Sequence, residues 1–236
     1  MKYGIIVAMN YELASLGIPY QTIEKSHQTY YLFNDDIVLI YSGIGKVNAS
    51  YKTSLLINDF HPDHIINLGS AGCTNSNVAL FDINIADKCQ YGDVDVTCDP
   101  KYAINQIPYE PKWFFNDLQM INFLTKVLSE KNMHVICKTA ITVDSFVTKN
   151  NVHLFHELAN HEVGSVDMES CAIAQVCHHY QIPYNCIKII SDNIHHPINH
   201  TEFEMNMSKI AKISKTILLT ILNSILTIHN TSTNKN

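Results

Sequence analysis

The chain has 236 residues, enough for one large domain with a real core, and only 16% of them are charged against 46% hydrophobic. Its formal net charge is −6 and no basic run stands out, which argues against a nucleic-acid backbone as partner; the basic side chains are all lysines, with no arginine. Seven scattered cysteines without a Cys-x-x-Cys argue for a reducing compartment over a disulfide framework; the short apolar N-terminus lacks the length and cleavage site of a signal peptide, so a cytoplasmic protein is expected.

Strand-like and helix-like stretches alternate along the chain. Tyr3–Met9 reads as the first strand, followed by Ile37–Tyr41, a helix over Asn48–Asn58, and strands at His64–Leu68 and Ile83–Ala86. The segment Asp93–Trp113 carries Pro100, Pro108 and Pro111 and is too long for a simple connection, which points to a functional loop. Next come a helix over Asp117–Lys131, a strand over His134–Val143, a helix over Asn151–Asn160 and a strand over Val163–Val166. That strand runs straight into a helix over Ser170–Tyr180, and Asn185–Ser191 reads as the last strand. In the final stretch Ile210, Ile213, Ile217, Ile221 and Ile225 recur at helical spacing, and Thr220, Asn223, Ser224 and Thr227 interrupt the apolar run. Glu204–Ile228 therefore reads as a core-facing helix, with no membrane span. Small polar residues follow, so residues 1–228 are expected to form one domain and 229–236 a disordered tail.

This order implies an α/β fold, a three-layer sandwich around a mixed, mainly parallel sheet. In such sheets ligands bind beyond the carboxyl ends of the strands. The rule selects Asn10–Glu12, Ser42–Lys46, Gly69–Cys73, Asp144–Val147, Asp167–Glu169 and Ser191–Asn193.

Each of these ends has a structural reading beside a chemical one. Asp167 and Glu169 flank Met168 where a buried helix begins; they fit helix capping, or a carboxylate that binds the paired hydroxyls of a ribose. Glu12 fits a first-turn glutamate, and Asp192, closing an apolar strand, fits a cap or a site acid. Gly43-Ile44-Gly45-Lys46 lacks the spacing of a nucleotide triphosphate loop and the third glycine of a dinucleotide loop, and a tight turn feeding a helix explains it. Gly69-Ser70-Ala71-Gly72 lets backbone approach a ligand or a packing neighbour closely. The pairs His178-His179 and His195-His196 lack a third ligand at recognisable spacing, so no metal is expected.

Taken together, six blocks resemble the bacterial 5′-methylthioadenosine/S-adenosylhomocysteine nucleosidases. They are Gly4-Ile5-Ile6-Val7-Ala8-Met9 with Glu12, Ser42-Gly43-Ile44-Gly45-Lys46-Val47, Asn67-Leu68-Gly69-Ser70-Ala71-Gly72, Asp144-Ser145-Phe146-Val147, Val166-Asp167-Met168-Glu169 and Ile190-Ser191-Asp192. The resemblance implies the nucleoside phosphorylase-like fold, a homodimer, no cofactor and no metal. It implies hydrolysis of the bond between adenine and a 5′-thio-substituted ribose, with Glu12 activating water and Asp192 protonating the purine. It places Glu169 on the ribose hydroxyls, Met168 against the sugar, Phe146 on adenine and the Val147 backbone at the adenine edge. Ser70, Gly72, Val166 and Asp167 would line the rest of the nucleoside site. Nucleosidases for aminodeoxyfutalosine, purine nucleoside phosphorylases and non-catalytic nucleoside binders share parts of this set. The chain departs from the family at Asn10 and Tyr11, where acidic residues are usual, at Lys188, where arginine is usual, and at Phe81-Asp82, where Gly-Asp is usual.

Overall fold

The structure, a computed structural model, describes residues 2–9, 19–158, 160–196 and 200–233. Asn10, Tyr11 and Glu12 lie outside the described residues. Twelve described strands form one sheet: β1 Tyr3–Val7, β2 Gln21–Lys25, β3 Gln28–Asn34, β4 Ile37–Tyr41, β5 His64–Cys73, β6 Ile83–Ile85, β7 Lys88–Tyr91, β8 Phe114–Phe115, β9 Val135–Ile136, β10 Thr139–Thr142, β11 Val163–Asp167 and β12 Tyr184–Asn193. The helices are α1 Lys46–Phe60, α2 Leu118–Glu130, α3 Ser170–Tyr180 and α4 His200–Thr233.

The main path runs β2-β3-β4-β1-β5-β11-β10-β7-β8, and β12 pairs with β5 and β6. Strand alternation sorts the apolar residues onto two faces. Tyr3, Ile5 and Val7 of β1 join Ile37, Leu39, Ile187 and Ile189 against Ile121 and Leu124 of α2 and Ile217 and Ile221 of α4. Ile6, Val38, Ile40 and Ile65 point the other way, against Leu56 of α1 and Ile173 of α3. Both faces of the sheet are therefore covered by helices, which is why its central strands are mostly apolar, with buried exceptions at Asn67 and Lys188.

Most of the expected elements are present. Asp117 caps α2, its carboxylate accepting from the Met120 N–H at 2.8 Å. The stretch expected as one strand over His134–Val143 breaks at Cys137–Lys138 into β9, which pairs with β6, and β10, which pairs with β7 and β11. Helix α4 continues to Thr233, past Ile228.

The helix expected over Asn151–Asn160 is absent. The described residues there form a 3-10 turn, Val152–Leu154, followed by further turns. Asparagine side chains take the local backbone groups that a helix would use. Asn151 accepts from the Thr148 N–H at 2.7 Å and donates to the Phe146 carbonyl at 3.0 Å, and Asn160 accepts from the Glu162 N–H at 3.0 Å. Phe81 adopts φ 72°, in the left-handed region that favours glycine, and its ring centre lies 3.6 Å from the Lys209 ammonium.

Candidate active site

Six strand ends, those of β1, β4, β5, β10, β11 and β12, converge on a cavity of about 340 Å³. Gly43 and Gly45, at φ 81° and 96°, turn the chain from β4 into α1. That turn aims the first amides of α1 inward, and the Gly45 N–H donates to Glu169 Oε1 at 2.9 Å. The positive end of a helix thus holds the carboxylate that the adjoining helix α3 brings in. The next amide, Lys46 N–H, donates to Asp144 Oδ1 at 3.2 Å. Lys46 Nζ lies 2.7 Å from Asp93 Oδ2 and 3.8 Å from Asp144 Oδ2. Ion pairs and backbone amides therefore pin the loop that carries Ser145, Phe146 and Val147 to the start of α1.

Asp167, at the end of β11, is turned to the chain's own groups. It accepts from the Thr142 hydroxyl at 2.7 Å, from the Ser170 hydroxyl, and from the Ser170 N–H at 3.2 Å and the Glu169 N–H at 3.3 Å. It thereby caps α3, although Glu169 occupies the N-cap backbone position. Lys188 Nζ lies 2.9 Å from Asp167 Oδ2, and the two side chains are 1% and 3% exposed. Burial alone would raise the Asp167 pKa; the Lys188 charge and the Ser170 and Thr142 hydroxyls outweigh it and hold the carboxyl below its ordinary value. Burial pulls the Lys188 ammonium down, but Asp167 first, with help from Glu169, keeps its pKa above the usual lysine value. Both groups stay charged.

Asp192 is in the opposite situation. A register shift between Ile190 and Asp192 makes Ser191 the extra residue of a bulge, which sets Asp192 opposite Gly72 of β5. A Cβ on Gly72 would lie 3.0 Å from Asp192 Oδ2, so a side chain there would press on the carboxyl. The Ser191 hydroxyl is 2.6 Å from Asp192 Oδ1 and 3.1 Å from the Ala71 carbonyl; its single proton serves one of them at a time. Burial pushes the Asp192 pKa up, and the Ser191 hydroxyl offsets only part of the rise. Asn193 holds the bulge from below. Its amide donates to the Asn75 and Val78 carbonyls at 2.9 and 3.0 Å, and its oxygen accepts from the His195 N–H at 2.9 Å.

Ser70, Gly72, Phe146, Val147, Val166, Asp167, Met168, Glu169 and Asp192 all line the one cavity. Phe146 is 66% exposed, at the mouth, whereas Glu169 is 5% exposed, at depth. Met9, the last described residue before Glu12, also lines it, and Glu12 itself is outside the described residues. Ile44 and Cys73, inside two of the selected blocks, line it too, whereas sequence reasoning did not select Thr74 and Ile194. Each of these two directly follows a selected block, so extending the blocks by one residue finds them. Burial raises the Cys73 thiol pKa to about 11, so it lines the wall as a neutral group. Among the described residues, none of the segment 93–113 lines the cavity. Among the described residues, no group of three or more His, Cys, Asp or Glu could hold a metal ion.

The model of the phosphorylase superfamily matches residues 2–223. A 5′-methylthioadenosine/S-adenosylhomocysteine nucleosidase of Staphylococcus haemolyticus is 33% identical over 225 residues, covering 93% of this chain and 98% of that protein. The chain belongs to this nucleosidase family, within the phosphorylase superfamily. A family member from Buchnera aphidicola is 40% identical over 198 residues, 81% of this chain and 85% of that protein. Among solved structures, the family member from Streptococcus pneumoniae with the transition-state inhibitor MT-ImmA is 33% identical. It matches with a TM-score of 0.84 over 95% of this chain and all of that one. The S-adenosylhomocysteine nucleosidase of Streptococcus pyogenes, in complex with 5-methylthiotubericidin, is 31% identical, with a TM-score of 0.83 over 95% and 97% of the two chains. These likenesses bear out the nucleoside phosphorylase-like α/β fold for this family member.

Proposed function

We propose that this chain hydrolyses the N-glycosidic bond of 5′-methylthioadenosine and S-adenosylhomocysteine, releasing adenine and the 5′-thio-substituted ribose. The observation that carries the reading is the pair of carboxyls in one cavity. Asp192 has its pKa raised by burial, and Glu169 is held by the amide end of α1. A carboxyl whose pKa is raised keeps its proton to higher pH than an ordinary aspartate, and adenine is a poor leaving group until protonated. A carboxylate at depth suits the two ribose hydroxyls, each a charge-assisted bond of roughly 1.5–3 kcal/mol.

On this reading Asp192 protonates the purine, and Glu12 activates the water that attacks the sugar from the other side. An acid for the leaving group and a base for water form the general glycosidase arrangement. Phe146 stacks on adenine, the Val147 backbone meets its edge, and Met168 packs on the sugar with Ser70, Gly72 and Val166 around it. Asp167 keeps α3, and with it Glu169, in place. The 5-methylthiotubericidin, transition-state inhibitor MT-ImmA and adenine bound in solved relatives support a purine nucleoside as the class of substrate.

A phosphorylase needs a cation free to take phosphate. Lys46 is committed to Asp93, and Lys188 to Asp167, which favours water as the acceptor. The test is incubation with methylthioadenosine in phosphate-free buffer, followed by chromatography. Adenine and free methylthioribose are the expected products. A reaction that required phosphate and yielded methylthioribose 1-phosphate would refute the hydrolase reading. We further propose a homodimer working in the cytoplasm in the salvage of methionine's thiomethyl group. Among the described residues no helix is long and apolar enough to cross a membrane.

A further inference from the structure

The parallel strands that end in the active-site cavity have a second cavity near their amino ends, of about 140 Å³. Its floor is a buried patch of sheet: Gln90 of β7, Thr139 and Ile141 of β10, and Val163 of β11. Ile141 is the register partner of Gln90, and Thr139 of Val163, so these side chains share one face.

Gln90 is 4% exposed and half satisfied. The Trp113 indole N–H donates to its Oε1 at 2.8 Å. An indole nitrogen only donates, so that bond settles which end of the amide is oxygen. The other end, Nε2, is buried and has no acceptor among the described residues. A buried amide donor is costly to leave unpaired, so a lining group of this kind calls for an oxygen in the cavity.

The rim carries charge of both signs. The Lys88 and Lys112 ammoniums lie 5.9 and 5.3 Å from the centre of the Trp113 ring. Glu157 Oε1 is 3.3 Å from Lys112 Nζ, and Glu162 is a second lining carboxylate. A simple anion would have to compete with Asp87, 3.2 Å from Lys88 Nζ, and with Glu157 for Lys112, and would face two glutamates with nothing to offer them in exchange. A simple cation would face two lysines. A molecule that carries both charges meets a partner for each.

We propose that this cavity binds a small α-amino acid as its zwitterion. The carboxylate bonds to Gln90 Nε2 and the two lysines, and the ammonium bonds to Glu157 and Glu162. The side chain lies on Ile141, Val163 and the indole. An apolar cavity of roughly 150 Å³ holds benzene, so about six to eight heavy atoms fit here, the range from alanine to valine.

Trp113 is the only tryptophan of the chain, so its emission reports on this cavity directly. The full-length protein is titrated with alanine and valine, then with isovalerate, which lacks the amine of valine, and isobutylamine, which lacks its carboxylate. Saturable emission changes are expected for the amino acids, with the two truncated compounds binding at least ~10-fold more weakly. Gln90→Leu keeps the volume, removes the donor, and should weaken amino-acid binding by a similar factor; circular dichroism establishes that it is folded. If that variant does not fold, Lys88→Met replaces it, with the same expected loss. No saturable response to either amino acid, equal binding of valine and isovalerate, or unaltered affinity in the folded variant would overturn the proposal.

Discussion

Replacing Lys188 by methionine removes one half of a buried ion pair and leaves the stem volume nearly unchanged. The pair is dry: the two side chains are 1% and 3% exposed at 2.9 Å separation. Breaking such a pair from one side costs about 3–5 kcal/mol, because the remaining charge is buried without its partner. For a chain of this size that corresponds to a drop of roughly 6–20 °C in midpoint at fixed protein concentration. The pH dependence has a definite sign. In the native protein the Asp167 pKa is depressed, so its contribution is present above the unfolded value of about 3.9 and is lost as pH falls through the folded value. In Lys188→Met, burial acts without the ammonium and raises that pKa, so the folded state binds a proton the unfolded state does not. The variant therefore gains stability as pH falls from neutrality towards about pH 5, relative to the native chain. Urea unfolding followed by circular dichroism at the two pH values measures both quantities. The double variant Asp167→Asn with Lys188→Met has no uncompensated charge and should recover most of the loss. A single-variant cost below about 1 kcal/mol, or one independent of pH, would refute the argument.

The remaining expectations concern turnover. Glu12→Gln keeps the shape of the proposed base but not its function, and adenine release should fall about 10²-fold or more with substrate binding retained; near-normal turnover would end that assignment. Asp192→Asn should lose activity on adenine nucleosides far more than on a substrate whose leaving group needs no proton, and the alkaline fall of kcat should disappear; equal losses on both would argue against the acid role. Glu169→Ala should abolish discrimination against 2′-deoxy substrates, read from kcat/KM for the two sugars; discrimination that survives would place ribose recognition elsewhere. Gly72→Ala puts a methyl 3.0 Å from Asp192 Oδ2, so kcat should drop with little change in melting temperature, whereas unchanged kcat would show that the carboxyl has room to move.

The sheet is legible where its central strands are buried on both faces and read as plain apolar runs, as around Ile5 and Leu39. The hairpin β2-β3 is not. Strand β2, Gln21–Lys25, is exposed throughout and has no apolar alternation to announce it. Its turn is made by Ser26 and His27 at φ 51° and 58°, where Asn-Gly or Asp-Gly would have been the signal. The missing helix at 151–160 was misread for a related reason. Val152, Phe155 and Leu158 pack on one cluster at a spacing of three, which serves successive turns as well as a helix. Strand-end reasoning picks out residues that share one cavity, because chain topology brings those ends together whatever their sequence separation. It did not foresee the Lys188–Asp167 pair, since no periodicity links a mid-strand lysine of β12 to the end of β11.

The site's chemistry turns on what each carboxyl was given as a partner. Asp167 and Asp192 are both aspartates in one cavity, and burial acts on both in the same direction. Asp167 meets an ammonium and two hydroxyls, so it remains ionised and serves the fold as a cap for α3. Asp192 meets a single hydroxyl, with its backbone bulged against a glycine, and its proton is held more tightly. Environments that push like groups apart are how a site separates a proton donor from a fixed charge. The same division accounts for the lysine at 188. Arginine's planar fork suits an oxyanion, whereas a compact ammonium saturated by one buried carboxylate leaves little capacity for an incoming phosphate. The charge of Lys188 is held by Asp167 at the floor of the pocket, and on the proposed reading the sugar then faces carboxyl groups, an arrangement that suits water.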